Sequence, residues 1–160
     1  MNCRSSKEIR RFNYLLGETE AVYHEIALKL GLSDSAMKIL YTVCDNGGNC
    51  PLQRVCLQSG LSKQTVNSAL RKLEQACLIR LEPAGFRKKN VCLTDEGFSL
   101  AQKTALRVIH MENSILASWP YEDVETYLRL TEKFLADLKQ KSAELFGKDG
   151  EATDEKHSAV

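Results

Sequence analysis

Lys63, Gln64, Thr65, Asn67, Ser68 and Arg71 are crowded into one short stretch, and a basic run, Arg87, Lys88 and Lys89, follows shortly after. These residue types read nucleic acid. Arg and Lys reach guanine acceptors or phosphates, Asn and Gln pair bidentately with adenine, and hydroxyls donate to either base edges or phosphates. Chemistry of another kind has little to stand on. His24, His110 and His157 are far apart, with no H-x-x-x-H or C-x-x-C pattern to gather a metal. No G-x-S-x-G, Walker A or G-x-G-x-x-G pattern occurs, so neither an enzyme nor a cofactor is expected. Among the thiols, Cys44, Cys56 and Cys92 fall in apolar patterns that suit structural cysteines. Cys3, beside Arg4 and near Lys7, is the one whose basic surroundings favour thiolate, which makes it the candidate redox residue.

The elements around the polar cluster fit a helix-turn-helix. Leu52, Val55 and Cys56 recur at helical spacing, Gly60 suits a tight turn, and Ser62 is placed to cap a second helix. In that second helix Val66, Ala69, Leu70 and Leu73 form the apolar stripe, which leaves the Lys, Gln, Asn, Ser and Arg side chains on other faces. The segment through Leu93 then reads as a basic β-hairpin. Residues 51–93 hold eight Lys or Arg (Arg54, Lys63, Arg71, Lys72, Arg80, Arg87, Lys88, Lys89) against Glu74 and Glu82, whereas the whole chain has a formal net charge of only +1. Positive charge is therefore concentrated where a polyanion would be held.

The flanks are helical. Residues 7–30 repeat apolar side chains (Ile9, Phe12, Leu15 or Leu16, Val22, Tyr23, Ile26) up to Gly31, a C′ residue. A second helix starting near Ser33 or Asp34 is expected to bury Met37, Leu40, Tyr41 and Cys44 before Asn46-Gly47-Gly48. Thr94-Asp95-Glu96 begins a helix carrying Phe98, Ala101, Ala105, Val108 and Ile109 that is expected to run to about Ser118. Pro120 fits the first turn of a last helix with Val124, Tyr127, Leu128, Phe134, Leu135 and Leu138 on one stripe. These helices carry more apolar surface than a winged helix can bury, and a second copy of the chain is the partner that two-fold DNA sites favour. No apolar run is long enough to span a bilayer and the start lacks a secretory pattern. A cytoplasmic protein with reduced thiols is therefore expected.

The run Gly60 to Glu74 (G-L-S-K-Q-T-V-N-S-A-L-R-K-L-E) resembles the recognition segment of the MarR family of bacterial transcriptional regulators. Arg87 to Gly97 (R-K-K-N-V-C-L-T-D-E-G) resembles the family's wing strand followed by L-T-x-x-G. The likeness spans about residues 7–146. It implies that Arg87 is the wing arginine of the minor groove and that Lys63, Gln64, Thr65, Asn67, Ser68 and Arg71 face the major groove or phosphates. It also implies an aromatic or phenolic effector in the crevice between the dimer helices and the winged domain, where Tyr14, Tyr41 or Trp119 would line the space. Two positions depart from the family pattern: Gly85 stands where a wing aspartate is usual, and Cys77 where a glycine usually follows the recognition helix.

The expected protein is mainly α with a small β-hairpin wing, a winged helix-turn-helix with long helices forming a dimerisation region. Residues 1–33 plus 95–146 would form the helical dimerisation region, 34–94 the DNA-binding domain, and 147–160 a disordered tail. Its partners would be double-stranded DNA, a second copy of itself and a small-molecule effector. The competing readings are a thiol-based redox regulator and a winged-helix module that binds protein, the latter having no need of Arg87-Lys88-Lys89.

Overall fold

Side-chain caps decide where the main helices begin. The hydroxyls of Ser6, Ser33, Ser62 and Thr94 accept hydrogen bonds from the backbone N–H of Ile9, Ala36, Thr65 and Gly97, at 3.2, 3.3, 3.1 and 2.9 Å. Each satisfies an N–H that has no partner inside its helix. The computed structural model describes residues 5–86 and 88–147. In chain order its elements are α1 (Lys7–Lys29), α2 (Asp34–Asp45), β1 (Asn49–Pro51), α3 (Leu52–Gln58), α4 (Lys63–Gln75), β2 (Ile79–Pro83), β3 (Lys89–Leu93), α5 (Asp95–Lys103), α6 (Ala105–Ala117) and α7 (Tyr121–Phe146). The chain divides into two units, residues 1–112 and 113–160. Cys3, Arg87 and the tail from residue 148 lie outside the described residues.

Three helices end in one way. After α1, the N–H of Leu32 bonds the Ala27 carbonyl at 2.9 Å and that of Gly31 the Leu28 carbonyl at 3.0 Å, with Gly31 at φ 74°. After α2, Gly48 and Gly47 make the corresponding bonds to Val43 and Cys44. After α4 the same pair of bonds runs from Leu78 to Leu73 and from Cys77 to Glu74, both at 2.9 Å, and here the left-handed residue is Cys77 at φ 58°. The departure from glycine leaves the hydrogen bonding of the cap unchanged. A Cβ is instead held in a backbone region that L-residues disfavour.

The core of the first unit gathers around α2. Ile39, Leu40 and Val43 are fully buried, with Met37 and Thr42 nearly so. They are enclosed with Ala27 of α1, Val55 of α3, Val66, Leu70 and Leu73 of α4, Ile79 and Val91 of the sheet, and Ala105 and Val108 of α6. Burying each large aliphatic side chain contributes about 1.5–3 kcal/mol relative to exposure. The expected stripe was one-sided and therefore incomplete. Helix α2 contacts α1, α3, α4, α5 and strands β1 and β3, so Ile39 and Val43 are core, whereas Tyr41 and Cys44 are only half-buried.

The wing is larger than a hairpin. Strand β1 pairs antiparallel with β3 (Cys50 opposite Val91), β3 pairs with β2 (Leu81 opposite Val91), and the order is β1-β3-β2. A three-residue strand ending in proline carries almost no periodicity, which is why the sequence pattern passed over it. A second correction concerns the helix after the wing, which breaks at Thr104 (φ −130°, ψ −95°) instead of continuing to about Ser118. The buried Thr104 hydroxyl donates to the Leu100 carbonyl at 2.8 Å, and Leu100 is the residue whose carbonyl the Thr104 N–H would take in an unbroken helix. Phe98, expected on the buried stripe, is half exposed. Pro120 caps α7 and does not open its first turn.

Gly97 fixes how α5 meets the end of the recognition helix. A Cβ there would lie 1.8 Å from the Leu78 carbonyl oxygen, so only glycine permits the approach. Thr94 adds to the junction: its hydroxyl donates to the Cys77 carbonyl at 2.6 Å and its N–H to the Leu78 carbonyl at 3.2 Å. The L-T-x-x-G run is thus a joint between α4 and α5.

Candidate nucleic-acid interface

Helix α4 has two dissimilar sides. Val66, Ala69, Leu70 and Leu73 are buried, while Lys63, Gln64, Thr65, Asn67, Ser68, Arg71 and Lys72 are exposed. The apolar stripe sets the roll of the helix, and the roll presents the donors and acceptors to solvent. Thr65 differs from its neighbours: its hydroxyl sits 2.8 Å from that of Ser62, inside the helix cap. It supports the start of α4, and the other side chains are left to make contacts.

A polar cluster missed by the sequence reading holds α3 in place. The Arg54 guanidinium donates to Asn46 Oδ1 at 2.8 Å, and the Asn46 amide donates to the Thr42 carbonyl at 2.7 Å and to Gln58 Oε1 at 3.0 Å. Arg54 was counted with the basic patch, yet it is spent on joining α2 to α3. Nothing in local spacing marks that joint, since it depends on how two helices cross.

The wing tip closes with the Ala84 N–H on the Lys88 carbonyl at 3.0 Å and the Lys88 N–H on the Gly85 carbonyl at 3.4 Å, with Gly85 at φ 100°. Lys88 and Lys89 are exposed there, and Phe86 is 84% exposed. On β2, Arg80 pairs with Glu82 at 3.0 Å. Lys63, Arg71, Lys72, Lys88 and Lys89 form no ion pair among the described residues. Their charge is available to an external anion.

The thiols among the described residues form no disulfide, and three of them are poorly suited to ionise. Burial pushes Cys44 up to about 11, and burial also raises Cys50, against the opposing Arg54 charge, and Cys92, where Glu82 adds to the rise. Cys77 is exposed at the end of α4. The candidate redox residue Cys3 lies outside the described residues.

Of the three aromatic residues expected around an effector, the structure places one in a cavity. Tyr41 lines a crevice of about 480 Å³ formed by α1, α2, the end of α3 and α6. Its hydroxyl donates to one carboxylate oxygen of Glu112, and the hydroxyl of Tyr23 donates to the other. Tyr14 is 64% exposed on α1 and lines no part of this crevice. Trp119 belongs to the second unit, edge-on to Tyr127 with ring centres 5.6 Å apart. Glu112 lies 89 residues from Tyr23 and 71 from Tyr41 in sequence, so no spacing rule could have joined them.

Residues 30–88, from the end of α1 through the recognition helix to the wing, match the family model for MarR. This stretch of the chain is similar to the MarR family. The matched segment carries the winged helix-turn-helix of that family of DNA-binding transcriptional regulators. Solved structures share the MarR fold over most of the chain. A MarR family regulator from Neisseria meningitidis superposes with a TM-score of 0.71 at 18% identity, covering 87% of this chain and 98% of that one. MepR of S. aureus, in complex with DNA, gives 0.63 at 19% identity over 84% and 99%. BpsR of Bordetella bronchiseptica, whose DNA binding is regulated by 6-hydroxynicotinic acid, gives 0.58 at 20% identity over 78% and 98%. No curated protein matches the sequence. Among the described residues no helix is long and apolar enough to cross a membrane, and no cluster of His, Cys, Asp or Glu is placed to hold a metal ion.

Proposed function

We propose that this chain is a MarR-family DNA-binding transcriptional regulator that acts in the cytoplasm as a homodimer on a pseudo-palindromic operator, and that a small molecule in the α1–α2–α6 crevice alters its occupancy of DNA. One observation carries the DNA contact: α4 buries its whole apolar stripe and turns Lys63, Gln64, Asn67, Ser68, Arg71 and Lys72 outward, all polar or basic. These residues are assigned to the major groove and its phosphates. Lys88 and Lys89, together with Arg87, are assigned to the backbone and minor groove beside it. The dimer rests on the stripe of α7, whose Tyr127, Leu128, Leu135 and Leu138 remain exposed in the single chain, and on residues 1–33 and 95–146 as the dimerisation region around the DNA-binding segment 34–94. Two-fold pairing spaces two recognition helices by about one DNA turn, roughly 34 Å.

The test is a salt titration on promoter-length duplex. Each phosphate neutralised by the unpaired lysines and arginines contributes about −0.9 to the slope of log affinity against log salt, so binding falls steeply between low and moderate salt. A flat titration overturns the assignment of the basic face.

A further inference from the structure

The walls of the crevice are chemically uneven. Ala27, Met37 and Val108 make a buried apolar floor, and Tyr23 and Tyr41 stand beside it. Its charged groups are the carboxylates of Glu20, Asp34 and Glu112 against a single lysine, Lys38; His24 also faces in, with Nδ1 2.9 Å from Asp34. A charged ligand entering this space meets more negative charge than positive. Glu112 is half-buried, and its two oxygens are held apart by the two phenols, one each. An ionised carboxylate offers about four acceptor positions, so two phenol donors leave room for about two more donors. We propose that the crevice binds an organic cation with a planar or compact nitrogen head, such as an aromatic amidinium or ammonium, whose N–H groups bond Glu112 while its apolar body lies over Ala27, Met37 and Val108.

This rests on the effector reading above and gives that effector a chemical class. The tyrosine faces suit the choice, because a cation is attracted to the negative face of an aromatic ring. Burial and the neighbouring Glu112 charge push the Tyr41 phenol upward, so it stays a donor to Glu112 and does not become a second anion in the site. An aromatic carboxylate of the same shape would place like charges together over an apolar floor, where water screens them least.

The matched probes are benzamidinium and benzoate, nearly identical in shape and opposite in charge, titrated calorimetrically into the full-length chain. Benzamidinium is expected to bind about tenfold or more tightly than benzoate, and Glu112→Gln to weaken it about tenfold, as for loss of a hydrogen bond to a charged group. Glu20→Gln, at the exposed rim, is a second variant that leaves the interior intact, with a smaller loss of about threefold expected. Tighter binding of benzoate overturns the cation assignment but leaves an effector in the crevice. Binding of neither probe, with salt-dependent DNA binding intact, removes both the cation and the effector role while the DNA-binding function stands. Benzamidinium binding unchanged in both variants likewise overturns the proposal.

Discussion

Helices α4 and α7 carry apolar stripes of the same periodicity and leave them in different environments. In α4, Val66, Leu70 and Leu73 are at most 4% exposed, because α2 and the sheet close over them. In α7, Leu128, Leu135 and Leu138 are 43–53% exposed, and no residue of that 26-residue helix is buried. A helical repeat in sequence thus reports only that a face avoids water. It does not report which chain supplies the cover. For α4 the cover is local, and the stripe works as an orienting device for the reading face. For α7 the cover assigned here is a second copy, and the stripe then sets the spacing of two reading faces on DNA.

One charge placed in each stripe separates these roles, with the largest expected effects. Val66→Asp puts a carboxylate where nothing polar can reach it, at a cost of about 3–5 kcal/mol, enough to unfold a unit of ordinary stability. Loss of the cooperative thermal transition would show it. Leu135→Asp should keep the helical circular dichroism signal, shift the protein to monomer in sedimentation, and lower operator affinity by roughly 100-fold, since each half then binds alone. A Leu135→Asp protein that still sediments as a dimer refutes the role given to α7.

The next effect lies within the reading face itself. Asn67→Ala and Arg71→Ala should each cost about 1–3 kcal/mol on a specific operator and relax base preference, whereas Lys88→Ala at the wing should weaken specific and random DNA alike. Competition gel shifts with operator and scrambled duplex measure the difference. Equal losses on both duplexes for all three variants would mean that the base-reading face lies elsewhere.

These contrasts also explain what the sequence could disclose. The stripes of α4 and α7, the caps at Ser62 and Thr94, and the turn glycine Gly60 are set by neighbours a few residues away, and local spacing recovers them. The same is true of the basic face, because a helix whose apolar side is known exposes the rest. The Arg54–Asn46–Gln58 cluster, the Tyr23–Glu112–Tyr41 bridge and strand β1 arise from packing between distant segments, and composition leaves no trace of them. The break at Thr104 is an intermediate case. A threonine inside a continuous apolar pattern looks harmless until its hydroxyl is seen on the carbonyl that the backbone needs.

The smallest expected effect compares two helix ends within the first unit, α1 with Gly31 and α4 with Cys77. Both make the same pair of terminal hydrogen bonds and both hold φ positive, at 74° and 58°. A Cβ at Gly31 would meet nothing within 4 Å, so any penalty for a side chain there is conformational and not steric crowding. Holding an L-residue in this region costs about 1–2 kcal/mol, while replacing it by glycine loosens the unfolded chain by about 0.4–1 kcal/mol. Cys77→Gly should therefore stabilise the protein by about 0.5 kcal/mol, a rise in melting temperature of one to two degrees for a chain of about this size. Gly31→Cys should lower it by a comparable amount. Thr94 and Gly97 bear on the same backbone at Cys77 and Leu78, so the relief at α4 depends on that joint holding its shape. If Cys77→Gly melts lower than the parent while Gly31→Cys behaves as expected, the joint requires a side chain at position 77 and the strain attributed to its Cβ is not the dominant effect there.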